Sequence, residues 1–262
     1  LFAFIGQARL HEENTVPNTI GTLNEKPLHA ALKQWCIQPG DLVEVPVDRF
    51  TVDIVRGDLL IEIQTRNLWC IRRKLTKLLE QHPVRLIYPV AKDRWIVRQS
   101  KSGRRVLGRR KSPKRGAVEL IFEEFVSIAE LLAHPEFSLQ VVLIQEEQVR
   151  RFDKARNWRR KGWGTHERRL LQVVDERLFE TPQDMLAFIP ITLSDPFTTK
   201  DLAEATGHSV WLAQKMAYCL RKMGAITVAG KRGRGILYIR ETVRFVEGLQ
   251  ESTGPVELPL PG

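Results

Sequence analysis

At 262 residues and 43% hydrophobic side chains, the chain is too apolar for disorder and long enough for one large domain or two ordinary ones. Its 41 Lys and Arg against 31 Asp and Glu leave a formal charge of +10, which favours a polyanionic partner, nucleic acid above all, over a merely solubilising surplus. No apolar run approaches the roughly 18 residues of a membrane span, and LFAFIGQARLHEEN lacks the basic n-region and cleavage site of a secretory signal, so no membrane partner and a cytoplasmic address are expected.

The chain opens on Leu1 rather than Met, so residues are expected to precede it, and residues 1–20 read as a polar N-terminal segment. TLNEKPLHAALKQW then reads as a helix. Thr22 and Glu25 have capping-box spacing, Leu28, Ala31, Leu32 and Trp35 form one stripe, and Gln38-Pro39-Gly40 ends it. Three strands come next, DLVEVPV (41–47), FTVDIV (50–55) and DLLIEIQ (58–64), with tight turns expected at Asp48-Arg49 and Arg56-Gly57. A second helix over 67–80 carries Leu68, Ile71, Leu75, Leu78 and Leu79 on one face. VRLIYPV (84–90) is an almost continuous apolar strand of the kind buried in a mixed sheet. The order is α-β-β-β-α-β.

RWIVRQ (94–99) is expected as a further strand. KSGRRVLGRRKSPKRG (101–116) holds eight Lys or Arg and no acid, so it is expected to be a mobile loop outside the core. Arg104, Arg105, Arg109, Arg110, Lys111, Lys114 and Arg115 are candidates there for nucleic-acid binding, a solvated loop being the plain alternative. Residues 117–133 have a helical pattern and SLQVVLI (138–144) is strand-like. The basic segment 149–169, with Arg159, Arg160 and Lys161 among Trp158 and Trp163, is expected to mark the domain junction. Its aromatics either stack on unpaired bases or pin the segment to a domain. The three cysteines, Cys36, Cys70 and Cys219, read as reduced core thiols, and no zinc spacing occurs.

Geometry singles out the second and third strands. Under an Arg56-Gly57 turn, Asp53 faces Leu60 and shares a sheet face with Glu62 and Gln64, leaving the two acids as diagonal neighbours roughly 7–8 Å apart. Such a pair can hold one divalent cation, Mg²⁺ or Mn²⁺, at about 2.1 Å from each carboxylate. A bound ion of that kind polarises a phosphodiester and lowers the pKa of its water. Glu62 and Gln64 on a wet strand face, with Asp53 near a hairpin end, is the plain alternative.

The element order, with Asp53 on the second strand and Glu62-Ile63-Gln64 on the third, resembles the PD-(D/E)xK nuclease superfamily, whose core is that of restriction endonucleases. The resemblance covers residues 21–90. It implies that Asp53, Glu62 and the carbonyl of Ile63 bind the metal and that Glu25 joins them, although Glu25 serves equally as a capping residue and His29 reads as a helix residue rather than a ligand. Gln64 stands where most members carry Lys; it can orient water through its carbonyl oxygen but supplies no charge. Arg66, Arg72 and Lys74 are candidates for the missing cation. Paired action in that superfamily makes a homodimer an option.

FTTKDLAEATG, SVWLAQKMAYCLRKMGAI and ITVAGKRGRGILYIR read as helix, helix and two short strands, which resembles a winged helix-turn-helix. Ser209, Gln214, Lys215, Arg221 and Lys222 on its second helix, and Lys231, Arg232 and Arg234 on its wing, are the DNA-contact candidates. Its first helix is expected within 165–190, in HERRLLQVVDERLFE or PQDMLAFI.

The expected organisation is therefore a segment at 1–20, an α/β nuclease-like domain at 21–147, a basic linker at 148–164, a mainly helical winged-helix domain at 165–245 and a flexible tail at 246–262. Its expected activity is metal-dependent endonucleolytic cleavage of duplex DNA. The same order of domains resembles the nuclease subunit of heteromeric transposases. A catalytically inactive nuclease-like DNA-binding protein or regulator is the alternative, and RNA binding through the Trp-Arg segment a third reading.

Overall fold

Pro27 has no N–H to lose at the start of a helix, and helix α1 (Pro27–Cys36) begins there. Thr22 of the expected capping box lies outside residues 25–153 and 161–241, which are the residues that the computed structural model describes. Glu25 precedes the helix instead of capping it from within. The buried stripe of α1 is Leu28, Leu32 and Cys36 with Lys33 beside it, while Trp35 is 40% exposed.

Strands β1 (Leu42–Val47), β2 (Phe50–Arg56) and β3 (Leu59–Ile63) form as expected, and Val47 pairs with Phe50 across the Asp48-Arg49 turn. A single turn of 3₁₀ helix leads into α2 (Arg72–Leu78), and β4 then runs unbroken from Val84 to Gln99. Two strands were expected in that stretch; the intervening Ala91–Asp93 is only an irregularity of register. With β5 (Val106–Lys111), β6 (Phe137–Phe152) and β7 (Trp163–Phe179), the described residues build a mixed seven-stranded sheet ordered β1-β2-β3-β4-β6-β7 with β5 also on β4. Strands β3, β4 and β6 are parallel and the other pairings antiparallel. Helix α1 covers one face through Leu28 and Leu32 against Ile54, Ile61, Ile87 and Val142. The other face carries Leu75 and Leu78 of α2, then Phe122 and Phe125 of the short α3 (Phe122–Phe125). Each such side chain contributes roughly 1.5–3 kcal/mol when fully buried.

Several expectations are corrected. The 101–116 segment is not a loop throughout: β5 (Val106–Lys111) pairs with β4, though all six of its residues are exposed. Residues 117–133 form only short 3₁₀ turns around α3. Both ends of the junction expected at 148–164 belong to the sheet, because β6 (Phe137–Phe152) and β7 (Trp163–Phe179) make one long antiparallel pair, while 154–160 lie outside the described residues. HERRLLQVVDERLFE is therefore strand, and PQDMLAFI holds a 3₁₀ turn at Asp184–Phe188. Among the described residues of 165–245, expected to be mainly helical, helix is confined to that 3₁₀ turn and to two α-helices. Past that turn the chain builds α4 (Thr199–Thr206), α5 (Val210–Lys222) and the hairpin β8–β9 (Ile226–Arg232, Gly235–Arg240). The segment expected as a tail lies outside the described residues. Among the cysteines Cys36 and Cys219 are buried, with thiols pushed up to about 12 by burial, but Cys70 is exposed.

Thr198 caps α4 in a reciprocal box with Asp201, so Asp201→Ala is expected to cost about 1 kcal/mol. Gly116 crosses β4 so closely that a Cβ there would strike the Ala91 carbonyl oxygen, whereas nothing lies within 4 Å of one at Gly108. Gly116→Ala should therefore cost about 1–3 kcal/mol of unfolding free energy. Gly108→Ala is the control, and equal urea midpoints for the two glycine variants would refute the crowding at Gly116.

Candidate active site

The β2–β3 hairpin pairs Arg56 with Leu59, Val55 with Leu60 and Ile54 with Ile61. Its turn is Gly57-Asp58, one residue later than expected, because Gly57 with φ +57° takes the left-handed position at the first turn residue. Continued by one step, this register sets Asp53 directly opposite Glu62 instead of diagonally. The ladder stops there, and the Ile63 N–H donates to Asp53 Oδ2 at 2.8 Å. A side-chain carboxylate has replaced a strand carbonyl, so the strands part. Val52 packs with the α2 side of the core and Ile54 with the α1 side. Residues two apart normally share a face, so β2 turns over at Asp53.

β1 has its own irregularity at the matching place. Val43 pairs with Ile54 and Val45 with Val52, which puts Glu44 across from Asp53. Glu44 has φ +54°, a conformation costing on the order of 1–3 kcal/mol for a side chain of this type. Glu44, Asp53 and Glu62 thus form a row across three strands.

Each of these acids meets a cation. Glu62 is 4% exposed and ion-pairs with Lys74, whose Nζ also donates to the Thr51 carbonyl at 2.6 Å. Glu62 Oε1 nevertheless receives no well-aligned hydrogen bond. Burial and the neighbouring Asp53 charge raise the Glu62 pKa, only partly offset by Lys74. For Asp53, burial is outweighed by His29, the Ile63 amide and Lys74, and its pKa is lowered. The His29 ring lies between two acids, with Nδ1 2.5 Å from Glu25 Oε1 and Nε2 3.3 Å from Asp53 Oδ2. Burial alone would lower its pKa; Asp53 and Glu25 raise it. Lys33 Nζ lies 2.6 Å from both Glu25 Oε1 and Glu44 Oε1. Glu25 is held low by Lys33 and His29 against the effect of burial.

Glu25, His29, Lys33, Glu44 and Asp53 open onto a cavity of about 440 Å³, with Gln64, Thr65 and Arg66 on its far wall. Gln64 donates through Nε2 to the Arg66 carbonyl at 2.7 Å, which leaves its amide oxygen as the group able to orient water. Among the described residues, no three Asp, Glu, His or Cys side chains converge tightly enough to cage a metal. Mg²⁺ needs less than a cage, since it keeps several waters and binds through one or two carboxylates. The Asp53 and Glu62 carboxylates, already countered by His29 and Lys74, offer a donor set of that size. Of the three candidate cations, Lys74 is the one paired with the site; Arg72 pairs with Glu130 at 2.9 Å, and Arg66 lines the cavity.

The basic candidates are dispersed. Arg104 and Arg105 lie in the exposed β4–β5 turn. On β5, Arg109 pairs with Glu147 at 2.7 Å and Lys111 with Asp93 at 2.9 Å, both beside the Trp95 ring, while Arg110 is exposed. Arg159, Arg160 and Trp158 lie outside the described residues; Lys161 is exposed. Trp163 packs edge-on against Phe152 at 5.6 Å, which is the pinning role. Ser209 is occupied as the N-cap of α5, accepting from the Leu212 N–H. Lys215 and Lys222 turn towards the sheet body, to the Glu123 carbonyl at 3.3 Å and the Glu130 carboxylate at 3.5 Å. Arg232 pairs with Asp201, and Gln214, Arg221, Lys231 and Arg234 stay exposed.

Sequence reasoning passed over Lys33 and Glu44 and undervalued His29. Glu25, His29 and Lys33 are four apart, a single helical face, and that spacing was readable. Nothing local marks Glu44.

A family model described as "Domain of unknown function (DUF8091)" matches residues 26–180. An uncharacterized protein of Treponema pallidum (strain Nichols) is 33% identical over 224 residues, covering 85% of this chain and 88% of its own. No solved structure matches.

The site carries a pH signature. Glu62's raised pKa means that its contribution is complete below its ordinary 4.5 and is lost as pH climbs towards about 7. His29 contributes fully below 6.5 and loses that contribution as pH rises through its higher folded value. The lowered Glu25 and Asp53 act oppositely, contributing above their ordinary 4.5 and 3.8 and failing as pH falls further. Urea denaturation of metal-free protein should therefore show greatest stability at about pH 5 and a steady decline towards about pH 8. Glu62→Gln should flatten the lower part of that decline and His29→Gln the upper part; a profile that neither variant alters would contradict these assignments.

Proposed function

Since the chain belongs to the DUF8091 family, a domain of unknown function, its activity must be argued from this site, and we propose that it is a metal-dependent DNA endonuclease hydrolysing phosphodiester bonds. The observation that carries the reading is the parting of β2 and β3 at Asp53 and Glu62, which sets two acids against each other inside a strongly basic chain. The order α1-β1-β2-β3-α2-β4 supports a restriction-endonuclease-like core of the PD-(D/E)xK kind.

Asp53, Glu62 and the Ile63 carbonyl would hold Mg²⁺ or Mn²⁺; of these only Asp53 lines the cavity, beside Glu25 and Glu44. The bound ion would supply Lewis acidity and a water of lowered pKa. The chain's own part is electrostatic and positional. Lys74 brings to Glu62 the ammonium that Gln64 lacks. His29 fixes Asp53 and Glu25, Lys33 fixes Glu25 and Glu44, and Gln64, its Nε2 held by the Arg66 carbonyl, would orient a water through its amide oxygen.

We read α4, α5 and β8–β9 as a winged helix-turn-helix that holds duplex DNA. Its support is the Thr198–Asp201 capping box, Gly207 in the left-handed position between the helices, and the exposed basic tip at Lys231 and Arg234. Lys215 and Lys222 already contact the Glu123 carbonyl and the Glu130 carboxylate at the surface, which leaves Gln214, Arg221 and the tip as the uncommitted groups for DNA contact. The second reading is a DNA-binding protein without catalysis. It is favoured by Gln64, whose amide is engaged in holding its own loop.

Nicking of supercoiled plasmid in Mn²⁺ separates the two. The parent should cut, and Asp53→Ala should be slower by about 100-fold or more, the several kcal/mol that a metal's charge supplies. Equal nicking by parent and variant would rule out this active site, and salt-sensitive binding with no cutting by either would establish the second reading.

A further inference from the structure

β3 ends at Ile63, while β4 and β6 continue to Gln99 and Phe152. The edge of β4 is paired with β3 as far as Ile87 and with β5 again from Trp95 onward. Between these two partners lies a second cavity of about 810 Å³. A crevice beyond the carboxyl end of a parallel strand is where open α/β sheets take their ligands.

Arg66, Arg94, Lys114, Arg115 and Arg168 line this cavity, against the acids Glu123 and Glu124. Glu124 is partly occupied, accepting from the Leu68 N–H at 3.2 Å. Arg168 is used up structurally: Nε and Nη2 reach the fully buried Glu146 at 2.7 and 2.6 Å, and Nη1 donates to the Thr65 carbonyl at 2.7 Å. Arg94 gives Glu146 only its Nε, at 2.5 Å, so a preset guanidinium keeps its terminal nitrogens for the cavity. Neither Lys114 nor Arg115 makes a side-chain hydrogen bond or close ion pair with a described residue, Arg115 acting only at longer range on Asp93, and both are exposed. The volume suits a nucleotide rather than a bare inorganic ion. Thr65 and Arg66 line this cavity and the carboxylate cavity alike, so the two flank the same segment just past β3.

We propose that this cavity binds the phosphate of a nucleotide next to the one engaged at the carboxylate site, through Arg66, Arg94, Lys114 and Arg115. The naming of the anion as a nucleotide rests on the nuclease reading; the anion site itself rests on the charges and the crevice. The phosphate comes either from a strand terminus or from within a strand.

The test uses the full chain in EDTA, with fluorescence anisotropy of a single-stranded DNA 12-mer labelled at its 3′ end, with and without a 5′-phosphate. The Lys114→Gln/Arg115→Gln protein, checked for an unchanged melting curve, should bind at least about tenfold more weakly, with a salt slope shallower by about 1. A gain from the 5′-phosphate in the parent that vanishes in this variant assigns a strand terminus; equal weakening with both oligonucleotides assigns an internal phosphate. Three results would overturn the proposal: unchanged affinity in the variant, an equal loss in Arg73→Gln/Lys200→Gln, which removes the same charge elsewhere, or a parent that binds neither oligonucleotide. No metal is present and nothing is cut, so the outcome is independent of whether plasmid cleavage succeeds.

Discussion

Glu146 exposes no surface at all, and a carboxylate in that position is tolerable only if cations are brought to it. Arg94 from β4 and Arg168 from β7 do so, and Arg168 in turn holds the Thr65 carbonyl just past the end of β3. The same requirement recurs at Glu62 with Lys74 and at Asp53 with His29. These pairings tie α1, α2 and β7 to the middle of the sheet at the places where its ladder is interrupted. Removing one partner of such a pair typically costs about 3–5 kcal/mol, more than the pair itself contributes, because the remaining charge stays buried. The architecture around the two cavities is thus fixed by charge compensation as much as by apolar packing.

That requirement also changes how the positive charge is to be read. Lys and Arg were counted from the sequence as a surface for phosphates, yet Lys33, Lys74, Arg94 and Arg168 serve internal acids. Even in the basic 101–116 run, Arg109 and Lys111 face Glu147 and Asp93. Among the described residues, the cations left to a polyanion include Arg66, Lys114, Arg115 and the terminal nitrogens of Arg94 around the second cavity, Arg104, Arg105 and Arg110 on or beside β5, and Arg221, Lys231 and Arg234 in the C-terminal elements. Density of Lys and Arg along a sequence overstates what the folded surface offers.

Legibility tracked the range of the interactions. The first six elements could be read because α1, β1–β3 and α2 are governed by local alternation and turn residues. The slipped turn moves the expected pairing by one residue on each strand and keeps Asp53 and Glu62 neighbours, although β2 turns over at Asp53, so Asp53 meets His29 of α1 and Glu62 meets Lys74 of α2. HERRLLQVVDERLFE failed because its Leu170, Val174 and Leu178 also satisfy helical spacing, and only β6, some 30 positions earlier, makes it a strand. The site was legible in its two central acids but not in Glu44, whose place depends on a left-handed backbone position in β1 that no neighbouring residue announces.

The C-terminal elements share the main core instead of standing apart from it. Phe197, Leu202, Leu212 and Met216 are continuous with Phe122, Phe125 and Phe188, and His208 and Lys222 reach Glu119 and Glu130 of the 117–133 segment. Arg72, which comes after β3 by way of the exposed Trp69, meets the same Glu130. A hinge between a sheet domain and a tethered DNA-holding module would require this apolar surface to open, at roughly 25 cal/mol for each Å² exposed. The hairpin tip therefore keeps a set position relative to the two cavities. A polyanion that touched the tip and reached Asp53 would have to match that spacing by its own shape and stiffness, and on the proposed reading the C-terminal elements would act by selecting which backbones span it.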